Sequence, residues 1–215
     1  MTDANVSALD RRCKNFRSNG DRLWDTLMEM DKIGPGVAGG NNRQTLTDED
    51  AEGRRLFQSW CEVEGMEMGL DKMGNMFARH EGTDPSLPPV MVGSHLDTQP
   101  TGGKYDGVLG VLAGLEIIRT LKETGIKTKH PIEVVNWTNE EGTRFSPPMM
   151  ASGVFTGMHT LEWAYAREDA EGKSVGEELA RIGWIGDEEV GAREMAAFFE
   201  LHIEQGPILD DEGIE

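Results

Sequence analysis

Basic residues are scarce in this chain. Lysine and arginine number 21 against 39 aspartates and glutamates in 215 residues, a formal net charge of −18. That balance excludes a nucleic-acid partner, which needs a face of clustered cations, and an anionic membrane surface. The acidity reads as a solubilising surface. Cysteine is almost missing. Cys13 and Cys61 lie far apart and outside any Cys-x-x-Cys spacing, which excludes a disulfide framework and a zinc knuckle. Both fall in helix-like segments and are expected as buried thiols. No apolar leader follows Met1 and no apolar run is long enough to span a bilayer, so a soluble, cytoplasmic protein is expected. Several catalytic signatures are missing as well. GGKYDG lacks the Lys-Ser/Thr ending of a phosphate loop, and there is no Gly-x-Ser-x-Gly, no His-Glu-x-x-His and no Gly-x-Gly-x-x-Gly after a strand.

What is present alternates. Ala8 to Met30 has helical periodicity with a possible break at Asn19-Gly20. Thr47 is a good N-cap for a second helix that carries Leu56, Phe57, Trp60 and Val63 inward and ends near Gly65. Met66–Leu70 and Asn75–Arg79 read as short strands around a turn, and EGTDPSLPP as a surface loop. Val90–Gly93 is an apolar strand, Val108–Lys122 a helix, and Ile132–Thr138 another strand. This strand–helix–strand order predicts an α/β fold around a largely parallel sheet. A short turn or helix is expected over Met149–Gly157, a helix over Ser174–Ile182 and a last strand over Ala197–Ile203. The methionines, Met28, Met66, Met68, Met73, Met76 and Met91 among them, read as core filling.

Chemistry concentrates in three fragments. In VMVGSHLDTQPTGGKYDGVLGVLAGLE, His95 closes a strand and precedes Asp97 by two. On an extended chain the two share a face, so Asp97 can orient the imidazole as carboxylates do for metal-bound histidines. Ligands of open α/β sheets bind beyond the carboxyl ends of the strands. Asp106 stands at the mouth of the next helix, either as its N-cap or as a carboxylate able to bridge two cations, with Gly107 permitting close backbone approach. In TNEEGTRF, Glu140 and Glu141 follow a strand, and neighbours on an extended segment point apart. One can bind metal while the other moves protons. In FFELHIEQGP, His202 is flanked by Glu200 and Glu204, and Gln205 can hydrogen-bond an amide or ureido group. Imidazole with carboxylate suits zinc, manganese or cobalt.

Together these fragments resemble the hydantoinase/carbamoylase amidases of the M20 metallopeptidase superfamily: N-carbamoyl-L-amino-acid hydrolases, β-ureidopropionases and allantoate amidohydrolases. The LHIEQGP block matches that branch rather than the peptidases. The resemblance covers nearly the whole chain from GPGVAGGNNRQTLTDED onward. It implies a three-layer α/β/α catalytic domain holding two divalent ions (Zn, Mn or Co). His95, Asp106, Glu141 and His202 are then metal ligands, with Asp106 as the bridge. Asp97 holds His95, Glu140 is the general base and Gln205 a substrate contact. The implied reaction is two-metal hydrolysis of an N-carbamoyl-L-amino acid to amino acid, carbon dioxide and ammonia. N-carbamoyl-β-alanine and allantoate are the alternative substrates.

One departure matters. Family chains continue into a lid and dimerisation domain and return to the catalytic domain with a further histidine for the second metal. No histidine follows His202, and His80, His130 and His159 lie in stretches that do not match. Residues 1–215 are therefore expected to be an N-terminal portion of the catalytic domain, its sheet incomplete at the C-terminus. An unpaired edge and exposed apolar surface follow. The chain itself is expected to be weakly active or inactive, the full-length form a homodimer. A reading of another class is a fragment that acts only as a binding module.

Overall fold

The computed structural model describes residues 16–214. Helix α1 (Gly20–Asp31) starts where the sequence suggested a break, because Asn19 is extended and its side chain accepts a hydrogen bond from the Arg22 backbone N–H at 3.0 Å. The earlier part of the expected Ala8–Met30 helix, and Cys13 with it, lies outside the described residues. Helix α2 (Asp48–Val63) is capped by Thr47, whose Oγ1 accepts from the Asp50 N–H at 3.2 Å, and it stops before Gly65 at φ 71°. Phe57 and Cys61, four apart, form its buried stripe. Burial pushes the Cys61 thiol pKa up, away from reactivity. Val63 does not face inward as expected: it is 81% exposed, because it lies two positions, about 200° of helix, beyond Cys61.

Strands β1 (Glu67–Leu70) and β2 (Met76–His80) form an antiparallel hairpin. Its turn is built on the buried Asp71 carboxylate, which accepts from the backbone N–H groups of Met73 and Asn75 and from Asn75 Nδ2 at 2.9–3.0 Å. β3 (Val90–His95), helix α3 (Val108–Thr124) and β4 (Ile132–Trp137) make the expected crossover unit, β3 lying parallel to β4 from Val90↔Ile132 to His95↔Trp137. The five-stranded sheet has the order β1-β2-β4-β3-β5, antiparallel at β1-β2-β4 and parallel through β4-β3-β5. It is the α/β architecture the sequence implied. β5 (Ala197–Phe199) is shorter than the expected Ala197–Ile203. Pairing ends at Val92↔Phe199, where the chain veers over the first turn of α3. Among the described residues β5 has no strand on its outer side, and Phe199, Leu201, Ile208 and Ile214, in β5 and the chain after it, are exposed.

Alternate residues serve alternate faces, as the pleat requires. Met76, Ala78, Val92 and Val134 join the main core under the helices, with Leu112 and Leu115 of α3, Phe57 of α2 and Met30 of α1. Phe77, Met91, Val135 and Trp137 form a smaller cluster on the opposite face, against Phe155 and Phe198. The methionines named above are core, as expected: Met66, Met73, Met76 and Met91 are buried, and Met28 and Met68 pack against the main core, whereas Met149, Met158 and Met195 are exposed. Helices α4 (Met150–Phe155), α5 (Leu161–Tyr165), α6 (Val175–Ile182) and α7 (Ile208–Glu212) complete the chain. No helix among the described residues is long and apolar enough to cross a membrane.

Candidate metal centre

The carboxyl ends of β3 and β4 bring the three fragments together. His95 is the last residue of β3 and 1% exposed. Its Nδ1 donates to the Asp97 carbonyl oxygen at 2.8 Å, which assigns the proton to Nδ1 and turns Nε2 toward Asp106, His202 and Glu140. The backbone, not the Asp97 carboxylate, orients the ring. That carboxylate lies 3.7 Å from Nδ1 and accepts instead from the N–H groups of Glu140 and Glu141 at 3.3 and 3.2 Å. The two side chains are neighbours, as expected, but without a hydrogen bond between them, and the strand ends at His95. Asp97 thus ties the two loops to each other. Burial pushes its carboxyl up to about 6.

Glu140 and Glu141 diverge for a different reason from the one expected. β4 ends at Trp137, and Asn139 adopts a left-handed conformation at φ 55° that swings the chain into a turn. Glu140 Oε2 stands 3.2 Å from His95 Nε2. Glu141 Oε2 accepts from Gln99 Nε2 at 3.0 Å, and its Oε1 is buried with no partner. Burial raises the Glu141 carboxyl pKa. Burial would lower that of His95, but Asp97 and Glu140 outweigh it, and the ring titrates above its ordinary value.

Asp106 sits at the centre. It is not the side-chain cap of α3: Gly107 holds the N-cap position and the helix has no side-chain cap. Its Oδ2 accepts from Gln205 Nε2 at 2.6 Å. Its Oδ1 is buried without a hydrogen-bond partner although His202 Nε2 is 3.2 Å away. The geometry explains both facts. His202 Nδ1 donates to the Ile203 carbonyl oxygen at 2.9 Å, so Nε2 presents a lone pair to a carboxylate oxygen. With the ring neutral, these two electron-pair donors face each other with no proton between them, and a bound cation would satisfy both. His95, Asp106 and His202 each offer a ligand atom, all within 4.8 Å of one another. The set fits a divalent ion of the zinc, manganese or cobalt type. Glu141 borders it with its own unpartnered oxygen but is not part of that group.

Gly107 makes the centre possible. At φ 68° it takes a backbone conformation that side chains disfavour, and a Cβ there would overlap the His95 imidazole. The sequence had flagged this glycine. It gave no signal for Gln99, or for Asn136, whose Oδ1 accepts from the Leu96 N–H at 2.8 Å. Nor did it reveal Arg43, buried and donating to the carbonyl oxygens of Leu96, Met30 and Ile33 at 2.9–3.2 Å. These residues hold the loop after His95, and single amides or arginines, whether in a loop or a strand, carry no distinguishing spacing.

Residues 91–215 match the profile of the peptidase family M20/M25/M40. An N-carbamoyl-L-amino-acid amidohydrolase of Rhizobium meliloti is 74% identical over 199 residues, covering 93% of this chain and 48% of that protein. A ureidoglycolate hydrolase of Arabidopsis thaliana is 35% identical over 202 residues, covering 90% and 42%. A crystal structure of a hydantoinase/carbamoylase family amidase from Burkholderia multivorans superposes with a TM-score of 0.90 at 55% identity, covering 92% of this chain and 48% of that one. The chain spans about half the length of the curated relatives it matches.

Proposed function

Since the chain belongs to the peptidase family M20/M25/M40, we propose that it carries the larger part of the active site of a metal-dependent amidohydrolase that cleaves the carbamoyl C–N bond of N-carbamoyl-L-amino acids. The observation that carries this reading is the buried, unpartnered Asp106 Oδ1 facing the His202 Nε2 lone pair beside His95. The 74% identity to an N-carbamoyl-L-amino-acid amidohydrolase supports the substrate class.

In this reading His95, Asp106 and His202 hold a divalent ion, and Glu141 with Asp106 serves a second. Bound there, the ions would supply Lewis acidity that polarises the carbamoyl group and acidifies the attacking water. Glu140 is the base. Its carboxylate already lies against His95 at the rim of the group, and Asp97 fixes its backbone from behind. It takes a proton from the water as the oxygen bonds to the carbamoyl carbon. It returns that proton to the amino-acid nitrogen as the C–N bond breaks, and the released carbamate falls apart to carbon dioxide and ammonia. Gln205 holds Asp106 through Nε2, and its amide oxygen is the proposed acceptor for a ureido N–H. Residues 1–215 are read as an N-terminal portion of the catalytic domain. The remaining ligand, the lid, the homodimer contact and full activity would come from sequence of the kind that makes the relatives twice as long. A cytoplasmic location belongs to the same reading. The ureidoglycolate hydrolase relative keeps a second ureido substrate open.

The test uses a chain of the relatives' full length. Glu140→Gln is expected to abolish turnover of N-carbamoyl-L-amino acids while metal content by plasma emission spectroscopy stays at the wild-type level. Asp106→Ala is expected to lose the metal. Metal loss in both variants, or in neither, rejects these roles. A panel of carbamoyl-α-amino acids, carbamoyl-β-alanine, allantoate and ureidoglycolate fixes the substrate. A chain that retains no metal and depletes none of them is only a binding fragment.

A further inference from the structure

His202 reaches Asp106 without the support of a strand. The β3–β5 ladder ends at Val92↔Phe199, three residues short of it. Two contacts hold the intervening segment. Ser94, fully buried at the end of β3 and next to His95, donates its hydroxyl to Glu200 Oε1. Gly110, in the first turn of α3, leaves room for the chain to pass: a Cβ there would stand 2.7 Å from the Leu201 carbonyl oxygen and 2.8 Å from Ser94 Cβ. On the far side, Gln205 anchors the chain to Asp106. The residue beside one imidazole is thus bonded to the residue two before the other.

We propose that Ser94, Glu200 and Gly110 are positioning residues that set the divalent-cation affinity of the His95–Asp106–His202 group by tethering residues 200–202 to the end of β3; this rests on reading that group as a metal site. Neither the Ser94 hydroxyl nor the Glu200 carboxylate belongs to the ligand cluster. Glu200 is exposed and its segment has no ladder to fall back on. Losing the tether costs the protein little of its core but frees His202 to leave the group. Partners that orient a ligand in this way typically account for 10–100-fold in metal affinity.

The experiment is a Co2+ titration of the metal-free 215-residue chain, followed by the visible absorption of the bound ion. Ser94→Ala and Glu200→Ala are each expected to weaken binding by roughly 10–100-fold, with the melting temperature of the metal-free protein essentially unchanged. Glu200→Gln keeps an oxygen that accepts the Ser94 hydroxyl, so it is expected to bind as wild type does. Gly110→Ala is expected to weaken binding at least as much as Ser94→Ala. His202→Ala is the reference. If it binds Co2+ as tightly as wild type, the metal-site reading itself fails. If it loses binding while Ser94→Ala and Glu200→Ala keep it, the site stands and the tether is overturned. A Glu200→Gln variant as weak as Glu200→Ala also overturns the tether, since charge and not the hydrogen bond would then be at work.

Discussion

At the residue scale, the chemistry turns on single atoms whose orientation a sequence does not carry. His95, Asp97, Asp106, Glu140, Glu141 and His202 were all legible as types at telling positions, and the fold gathers them at one sheet end. Their contacts were less legible. His95 leans on a backbone carbonyl rather than on the Asp97 carboxylate, and Asn139 supplies a turn where an extended segment was expected. Both depend on where the backbone leaves the strand, and residue spacing does not fix that point. Gly107 is the sharpest requirement at this scale. Gly107→Ala forces a Cβ into the imidazole at a backbone angle that disfavours it, so cation affinity is expected to fall by roughly 100-fold or more. Isothermal titration with Zn2+ reads the effect, and an unchanged affinity would show that the ring relocates at no cost.

At the element scale, caps and periodicity were legible. Thr47 starts α2 as expected, and the helix expected over Ser174–Ile182 forms, started by a reciprocal Ser174–Glu177 capping box that was not among the expectations. Burial of charge was not legible. Arg54 lies on α2 with 1% of its side chain exposed and pairs with Asp50, also buried, at 2.9 Å. It donates besides to the Gly74 carbonyl oxygen and Thr138 Oγ1, pinning α2 to the β1–β2 turn and to the end of β4. In the sequence it is one more charge on a helix in a charged protein, and only tertiary packing turns it inward. Arg54→Met strands the Asp50 carboxylate and is expected to cost about 3–5 kcal/mol in urea unfolding. Replacing Asp50 by leucine as well is expected to recover much of that. A single-variant loss under about 1 kcal/mol would mean that water reaches the pair.

At the scale of the whole molecule, pH acts through groups pulling in opposite directions. Burial opposes ionisation of Glu178, but hydrogen bonds from Arg181 and Arg144 outweigh it and hold the carboxyl below its ordinary range. Its contribution is present at neutral pH and is lost on acidification. Asp71 does the reverse. Burial lifts it from 3.8 to about 6 against its hydrogen bonds from Asn75 and Met73, so its contribution is full below pH 4 and is lost as pH rises through 6. Compared with Asp71→Asn, the wild type is therefore expected to gain up to about 3 kcal/mol of unfolding free energy between pH 7 and pH 4. Parallel denaturation curves in the two proteins across that window would refute it.

The outer edge of β5, which no strand covers among the described residues, has a consequence in solution. An edge strand with Phe199 and Leu201 exposed at it is a template for a like strand, while a net charge of −18 keeps copies apart. Electrostatic repulsion reaches about 10 Å at 0.1 M salt and only about 3 Å at 1 M. Monomer and oligomer thus become a matter of ionic strength, and sedimentation velocity is expected to show the chain associating as sodium chloride is raised, in contrast to a charge-paired interface, which salt would loosen.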